Sequence, residues 1–160
     1  NPMGKLPVLV DGDAVVTEAA AIALYVADRY VAGRLAPALD DPWRATYLRW
    51  SLFAPSVIEP GQMAQSGHWD FKPSRAGWGG YAAMIATMEK AVGDGPYLLG
   101  ETFSMADVIF GGTARFLLRF DALEAGPAIK AYCARLGERP ALRRADAKNA
   151  EVMAAHGLKA

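Results

Sequence analysis

The stretch Asn1-Pro2-Met3-Gly4-Lys5-Leu6-Pro7-Val8-Leu9-Val10-Asp11-Gly12-Asp13-Ala14-Val15-Val16-Thr17-Glu18-Ala19-Ala20-Ala21-Ile22 decides the fold. Two short apolar runs rich in Val and Leu meet at Asp11-Gly12, a strong hairpin signal, and predict an antiparallel pair. Pro7 has no N–H to give to a ladder, so it belongs at the first residues of a strand or on an edge, beside something other than a neighbouring strand. Glu18 stands where the second strand gives way to a helix with apolar positions at Ala21, Ile22, Tyr25, Val26 and Tyr30. A helix start offers unpaired N–H groups and a positive dipole end, the ingredients of an anion site.

The rest of the chain sets bounds on what surrounds this unit. With 160 residues it is long enough for one good core, or for one domain and part of another. The 17 basic and 17 acidic residues cancel, so no basic patch for nucleic acid is expected. No apolar run is long enough to predict a membrane span. The single cysteine, Cys133, excludes an intramolecular disulfide framework and fits a reducing cytoplasm. His68 has no second ligand at metal-binding spacing and His156 lies in a distant tail, so no metal site is expected. Two strands and a helix are marginal as an independent sheet, and the Pro-bearing strand has nothing upstream to pair with, so the chain reads as the later part of a longer polypeptide.

After Tyr30 the pattern turns almost wholly helical. Gly33, Pro37 and Asp40-Asp41 mark a linker, and either aspartate can cap the next helix with Pro42 at its first position. Trp43, Tyr47, Trp50 and Phe53 form an aromatic stripe that reads either as core or subunit contact, or as the wall of a hydrophobic pocket. Pro55 should bend the same segment. Positions 78, 81, 85, 88 and 92 give a helical face that stops at Gly93-Asp94-Gly95-Pro96. Ser104 and Asp107 have capping-box spacing at the start of a helix over 105–120 that is apolar nearly all round, with Gly111-Gly112 allowing close approach of another backbone. A pure capping role would make Asp107→Ala cost about 1 kcal/mol. Gly126-Pro127 opens a further helix whose stripe, Ile129, Tyr132, Cys133 and Leu136, makes Cys133 a small core residue. Glu138-Arg139-Pro140 breaks it, a short helix restarts over 141–145, and 146–160 form a docked helix or a frayed tail.

Several of these pieces recur together in one family. Asn1-Pro2, Gly4-Lys5-Leu6-Pro7, the acidic turn Asp11-Gly12-Asp13 and Glu18-Ala19-Ala20-Ala21-Ile22 resemble, in order and spacing, the glutathione-binding domain of the glutathione transferase superfamily. Leu98-Leu99-Gly100-Glu101 leading into Ser104-x-x-Asp107, and the later Arg139-Pro140, are similar to phrases of its C-terminal domain. The resemblance implies a fold class of two parts: an α/β thioredoxin-like domain over 1–33, represented by its C-terminal β-β-α part, then a linker over 34–41 and an all-α helical bundle over 42–160. It implies that Pro7 is cis and Leu6 offers its backbone to the cysteinyl part of glutathione, that Glu18 pairs with the γ-glutamyl amine, that the Ala19 N–H binds the γ-glutamyl carboxylate, and that Lys5 lies near the glycyl end. Taken from the residues alone, Glu18 reads equally as dipole complementation and Lys5 as a solvated strand end.

The same resemblance implies a pocket for a hydrophobic co-substrate near Tyr47, Trp50 and Phe53, a homodimer, and a cytoplasmic setting without metal, nucleic acid or membrane. Glutathione is then a co-substrate whose thiolate attacks a small hydrophobic electrophile or serves a reduction. The Tyr, Ser or Cys that activates the thiol in this family lies upstream of Asn1, and Tyr25, Tyr30 and Tyr47, assigned to apolar faces, do not replace it. Ala19 departs from the Ser or Thr usual at its position, a change worth about 1.5–3 kcal/mol as one lost hydrogen bond to a charged group. The alternative is a non-catalytic member of the fold, a ligand-binding or protein-interaction module.

Overall fold

The computed structural model describes residues 1–158 and begins with an antiparallel hairpin, β1 (Val8–Asp11) and β2 (Ala14–Thr17), paired from Val8 with Thr17 to Asp11 with Ala14. Asp11 is thus inside the ladder and the loop is Gly12-Asp13. Gly12 has a φ of 59°, the positive value that the first position of a two-residue hairpin loop of type II′ requires. Pro7 sits just outside β1, so its missing N–H costs the ladder nothing. From Glu18 the chain turns into α1 (Ala19–Tyr30).

The face of α1 that packs on the bundle is Ala23, Leu24 and Ala27, with Ala20 also buried, not the expected Ala21-Ile22-Tyr25-Val26-Tyr30 set. Ala21 is exposed, and Tyr30 is 58% exposed. Tyr25 and Tyr30 both donate their hydroxyls to Asp11, which corrects their assignment to an apolar face: each phenol turns its polar tip to a carboxylate.

The stretch after α1 is fastened rather than loose. Ala36 is buried, the Leu35 carbonyl accepts from the Met105 N–H at 2.7 Å, and Arg44 grips both oxygens of Asp28 at 2.8 and 2.9 Å while donating to the Pro37 carbonyl. Asp41, not Asp40, receives the Trp43 N–H at 2.8 Å just ahead of α2 (Arg44–Phe53). The helix then widens into a π turn over Ala54–Ile58 before α3 (Glu59–Ser66). Pro55 lies in that wider turn, where its missing donor is accommodated by a change of hydrogen-bond register.

Next in order are α4 (Tyr81–Gly93), α5 (Met105–Arg119), α6 (Pro127–Gly137) and α7 (Pro140–Ala155). α4 starts later than the sequence pattern suggests because Gly79 is left-handed and Gly80 extended, and its buried line is Met84, Met88 and Val92. α7 runs on to Ala155, well past the short helix expected over 141–145, although none of its residues is buried. The last two residues of the expected 42–160 unit lie outside the described residues.

The core sits among α2, α4, α5 and α6, with Tyr47, Ile58, Met88, Phe110, Ile129 and Tyr132 fully buried. α5 crosses its middle, yet Val108 and Phe116 on one side are 45% and 62% exposed, so the helix is not apolar-packed all round. Gly111 admits the side chains of Leu136 and Tyr132 rather than a backbone, and a Cβ at Gly112 would meet nothing within 4 Å. The Glu89 carboxylate on α4 accepts the Ala128 and Ile129 N–H groups at 3.0 and 3.1 Å, capping α6 from a neighbouring helix.

Candidate functional site

Pairing of Val8 with Thr17 aligns the residues that extend the two strands beyond it, so Pro7 and Glu18 lie side by side at the open end of the hairpin. The Leu6–Pro7 peptide is cis, and Leu6 is 90% exposed. Glu18 holds a φ of 69°, a left-handed conformation that costs a residue with a side chain about 1–3 kcal/mol. The first helical bond runs from the Ile22 N–H to the Glu18 carbonyl at 2.9 Å, and no side chain caps the helix start. The N–H groups of Ala19, Ala20 and Ala21 therefore have no intrahelical acceptor, and Ala19 is exposed. Lys5 is exposed on the same terminal stretch. An exposed peptide edge, a set of free N–H donors and a carboxylate thus share one end of the hairpin, the chemistry that a zwitterionic peptide ligand requires.

At the opposite end, the Asp11 carboxylate collects three groups from α1. Its Oδ2 accepts from the Tyr30 hydroxyl at 2.6 Å and the Tyr25 hydroxyl at 2.8 Å, and lies 3.0 Å from the Arg29 Nε. These donors, Tyr30 first and then Tyr25, hold the carboxyl below the usual aspartate value, and the Tyr25 phenol is raised in return. The spacing of Asp11 from Tyr25 and Tyr30 has no local periodicity, so the sequence carries no signal for this cluster.

The aromatic stripe on α2 divides. Tyr47 is completely buried, its hydroxyl has no hydrogen-bond partner among the described residues, and burial pushes it up to about 12. Phe53 packs with Trp50 and Phe110 at centroid distances of 5.1 and 6.2 Å. Tyr47 thus serves the core and Phe53, partly buried, packs against it. Trp50, only 7% exposed, does reach a cleft of about 690 Å³ between α2 and α4, together with Trp43, Arg49, Thr87, Lys90 and Tyr97. The large apolar residues of α2 that face outward are instead Leu48 and Leu52, at 37% and 49% exposure. The cleft does not include the hairpin residues.

Ser104 and Asp107 form both halves of the capping box, and Asp107 does more than cap. Its Oδ2 takes the Ser104 N–H at 2.8 Å and hydroxyl at 3.1 Å, while Oδ1 takes the Leu98 N–H and the Tyr132 hydroxyl, each at 2.9 Å. The carboxyl is 1% exposed. Burial raises its pKa and the four donors act against that rise. Every acceptor direction is thereby used on the protein itself, which leaves Asp107 no capacity for substrate chemistry. Cys133 is buried and pushed up to about 11 by desolvation, a core thiol.

The hairpin with its helix and the bundle that follows define a class: a thioredoxin-like N-terminal part followed by a helical C-terminal domain. Two family models match the chain. The glutathione S-transferase C-terminal domain matches residues 41–135 and the N-terminal domain matches residues 1–28, and the chain belongs to the glutathione S-transferase family. It is 29% identical over 163 residues to glutathione S-transferase F14 of Arabidopsis thaliana, covering 88% of this chain and 62% of that protein. It is 28% identical over 175 residues to the dichloromethane dehalogenase of Methylophilus leisingeri, covering 87% and 58%. The chain thus spans about three-fifths of the length of these curated relatives. A sphingomonad glutathione S-transferase solved in complex with glutathione superposes with a TM-score of 0.68 at 27% identity, over 91% of this chain and 74% of that one.

Proposed function

We propose that this chain carries the holding half of a glutathione site and acts in a glutathione transferase reaction. The observation that carries the reading is the juxtaposition at the open end of the hairpin: the strand register brings the cis Leu6–Pro7 peptide beside Glu18 and the uncapped start of α1. In this reading Leu6 pairs with the cysteinyl backbone, the Ala19 N–H takes the γ-glutamyl carboxylate, Glu18 takes the amine, and Lys5 attends the glycyl carboxylate. The bound thiolate attacks an electrophilic carbon of a small hydrophobic molecule: a C–S bond forms and the leaving group departs with its electron pair. The printed names of the relatives support the class, since one is a dehalogenase and one neighbour was solved with glutathione.

Domain limits of 1–33 and 42–160 around a 34–41 linker, a homodimer and a cytoplasmic location belong to the same proposal. No described helix is long and apolar enough to cross a membrane. Ala19 supports a second reading. Without a hydroxyl beside the N–H, the carboxylate loses a donor, and the chain serves as a binding module of the same fold without turnover. Calorimetric titration with glutathione, paired with a chloronitrobenzene conjugation assay, separates the two. Binding with turnover is expected; binding without turnover selects the module, and no heat at millimolar glutathione refutes both assignments of this site.

A further inference from the structure

The glutathione residues sit at one end of the hairpin, but the side-chain bonds that fix the hairpin on α1 are gathered at the other. Among the described residues, the side-chain hydrogen bonds between hairpin and helix converge on one atom, Asp11 Oδ2, from Tyr25 and Tyr30, with the Arg29 guanidinium beside them. The strands alternate: Val8, Val10 and Val15 on one face are 38%, 67% and 66% exposed, while Leu9, Ala14 and Val16 on the other are half-buried, so the bonds to Asp11 add a polar fixture at the loop end to a small apolar contact.

The geometry makes this bond cluster matter at a distance. α1 has 12 residues, so its ends lie about 18 Å apart. Glu18 connects its start directly to β2, and the Asp11 cluster ties its final turns to the β1 end of the loop. Two attachments at opposite ends define the angle of a rigid rod against the hairpin. That angle sets the separation between the Leu6–Pro7 peptide and the free N–H groups of Ala19 and Ala20. A single attachment at Glu18, whose left-handed backbone is a joint under strain, would leave the rod free to pivot.

We propose that Asp11 is a positioning residue for the glutathione site, holding α1 through Tyr25 and Tyr30 so that its start faces the Leu6–Pro7 peptide. The inference rests on the glutathione reading above for its functional consequence, and on the hairpin geometry for its structural one. Asp11 touches no ligand; its effect passes through the helix.

The test uses the whole chain with Asp11→Ala and, as a variant that leaves the turn intact, the double change Tyr25→Phe and Tyr30→Phe. Glutathione affinity is read by calorimetry, and the amide resonances of Val8, Ala19 and Ala20 are read without ligand. Both variants are expected to bind glutathione about tenfold more weakly, the scale of a small misplacement, with the Val8, Ala19 and Ala20 amides displaced while those of α5 and α6 stay in place. Asp11→Glu, which keeps the acceptor, should recover part of the affinity. If the wild type binds and both variants bind within twofold of it, the positioning role is wrong and the glutathione reading stands. If the wild type itself does not bind, the glutathione reading fails and the amide shifts decide alone: displaced Ala19 and Ala20 signals uphold the role of Asp11, and unchanged signals overturn it.

Discussion

Replacing Asp107 by alanine removes one carboxylate and strands three buried donors at once: the Leu98 N–H, the Ser104 N–H and the Tyr132 hydroxyl, held at 2.8–2.9 Å in the native protein. A fourth, the Ser104 hydroxyl, can rotate to another acceptor. Leaving a buried donor unpaired costs about 1–3 kcal/mol each, and water entering the vacated space recovers part of it, so the expected loss is about 4 kcal/mol. A simple helix cap would cost about 1 kcal/mol, the figure that the Ser-x-x-Asp spacing alone suggests. The excess comes from Leu98 and Tyr132, which tie the approach to α5 and the middle of α6 to the same side chain. Urea unfolding followed by far-ultraviolet circular dichroism reads the difference as a midpoint lowered by about 2 M for a slope near 2 kcal/mol/M. Tyr132→Phe removes one stranded donor in advance, so Asp107→Ala should cost about 1 kcal/mol less in that background. A loss near 1 kcal/mol for Asp107→Ala, unchanged by Tyr132→Phe, would refute the network and return Asp107 to the status of a cap.

Three further outcomes are expected. Gly111→Ala drives a methyl into Leu136 and to 3.3 Å from the Tyr132 ring and should destabilise by about 1–3 kcal/mol, while Gly112→Ala on the same helix meets nothing within 4 Å and should stabilise by up to about 1 kcal/mol in the same urea assay. Asp11 has a folded pKa below its ordinary 3.8, so its contribution is present above that value and lost as pH falls through the folded pKa; the urea midpoint of the wild type should exceed that of Asp11→Asn at neutral pH, and the two should converge as the pH is taken below the folded pKa. Cys133, pushed up to about 11 and buried, should be inert to a disulfide reagent at about pH 8 until the chain is unfolded, when one thiol titrates at once.

What the sequence discloses and what it conceals follow from the range of the interactions involved. The hairpin and the capping box were legible because their signals are local: Asp-Gly between apolar runs sets a turn, and Ser-x-x-Asp spans a single helical turn. The stop of α4 near Gly93-Asp94-Gly95-Pro96 is similarly local. The face of α1 was misread because alanines at 20, 23 and 27 give almost no hydropathy contrast, while Tyr25 and Tyr30 look apolar until a carboxylate 14 and 19 residues upstream is folded against them. Tyr47 and Phe53 share the helical spacing of a pocket wall, but the same spacing serves a core, and only the placement of α5 decides between them. The convergence of Leu98 and Tyr132 on Asp107 spans separations of 9 and 25 residues, beyond any pattern in the chain. The cis state of Leu6–Pro7 was accessible only through the family resemblance, because most X-Pro bonds are trans.

The central claim is that the open end of the hairpin holds glutathione, and a titration followed by amide resonances addresses it residue by residue. Saturable shifts at Leu6, Ala19 and Ala20 with millimolar glutathione, lost in Glu18→Ala, are the predicted result. Shifts confined to the cleft between Trp50 and Lys90, or none at the hairpin, would contradict it.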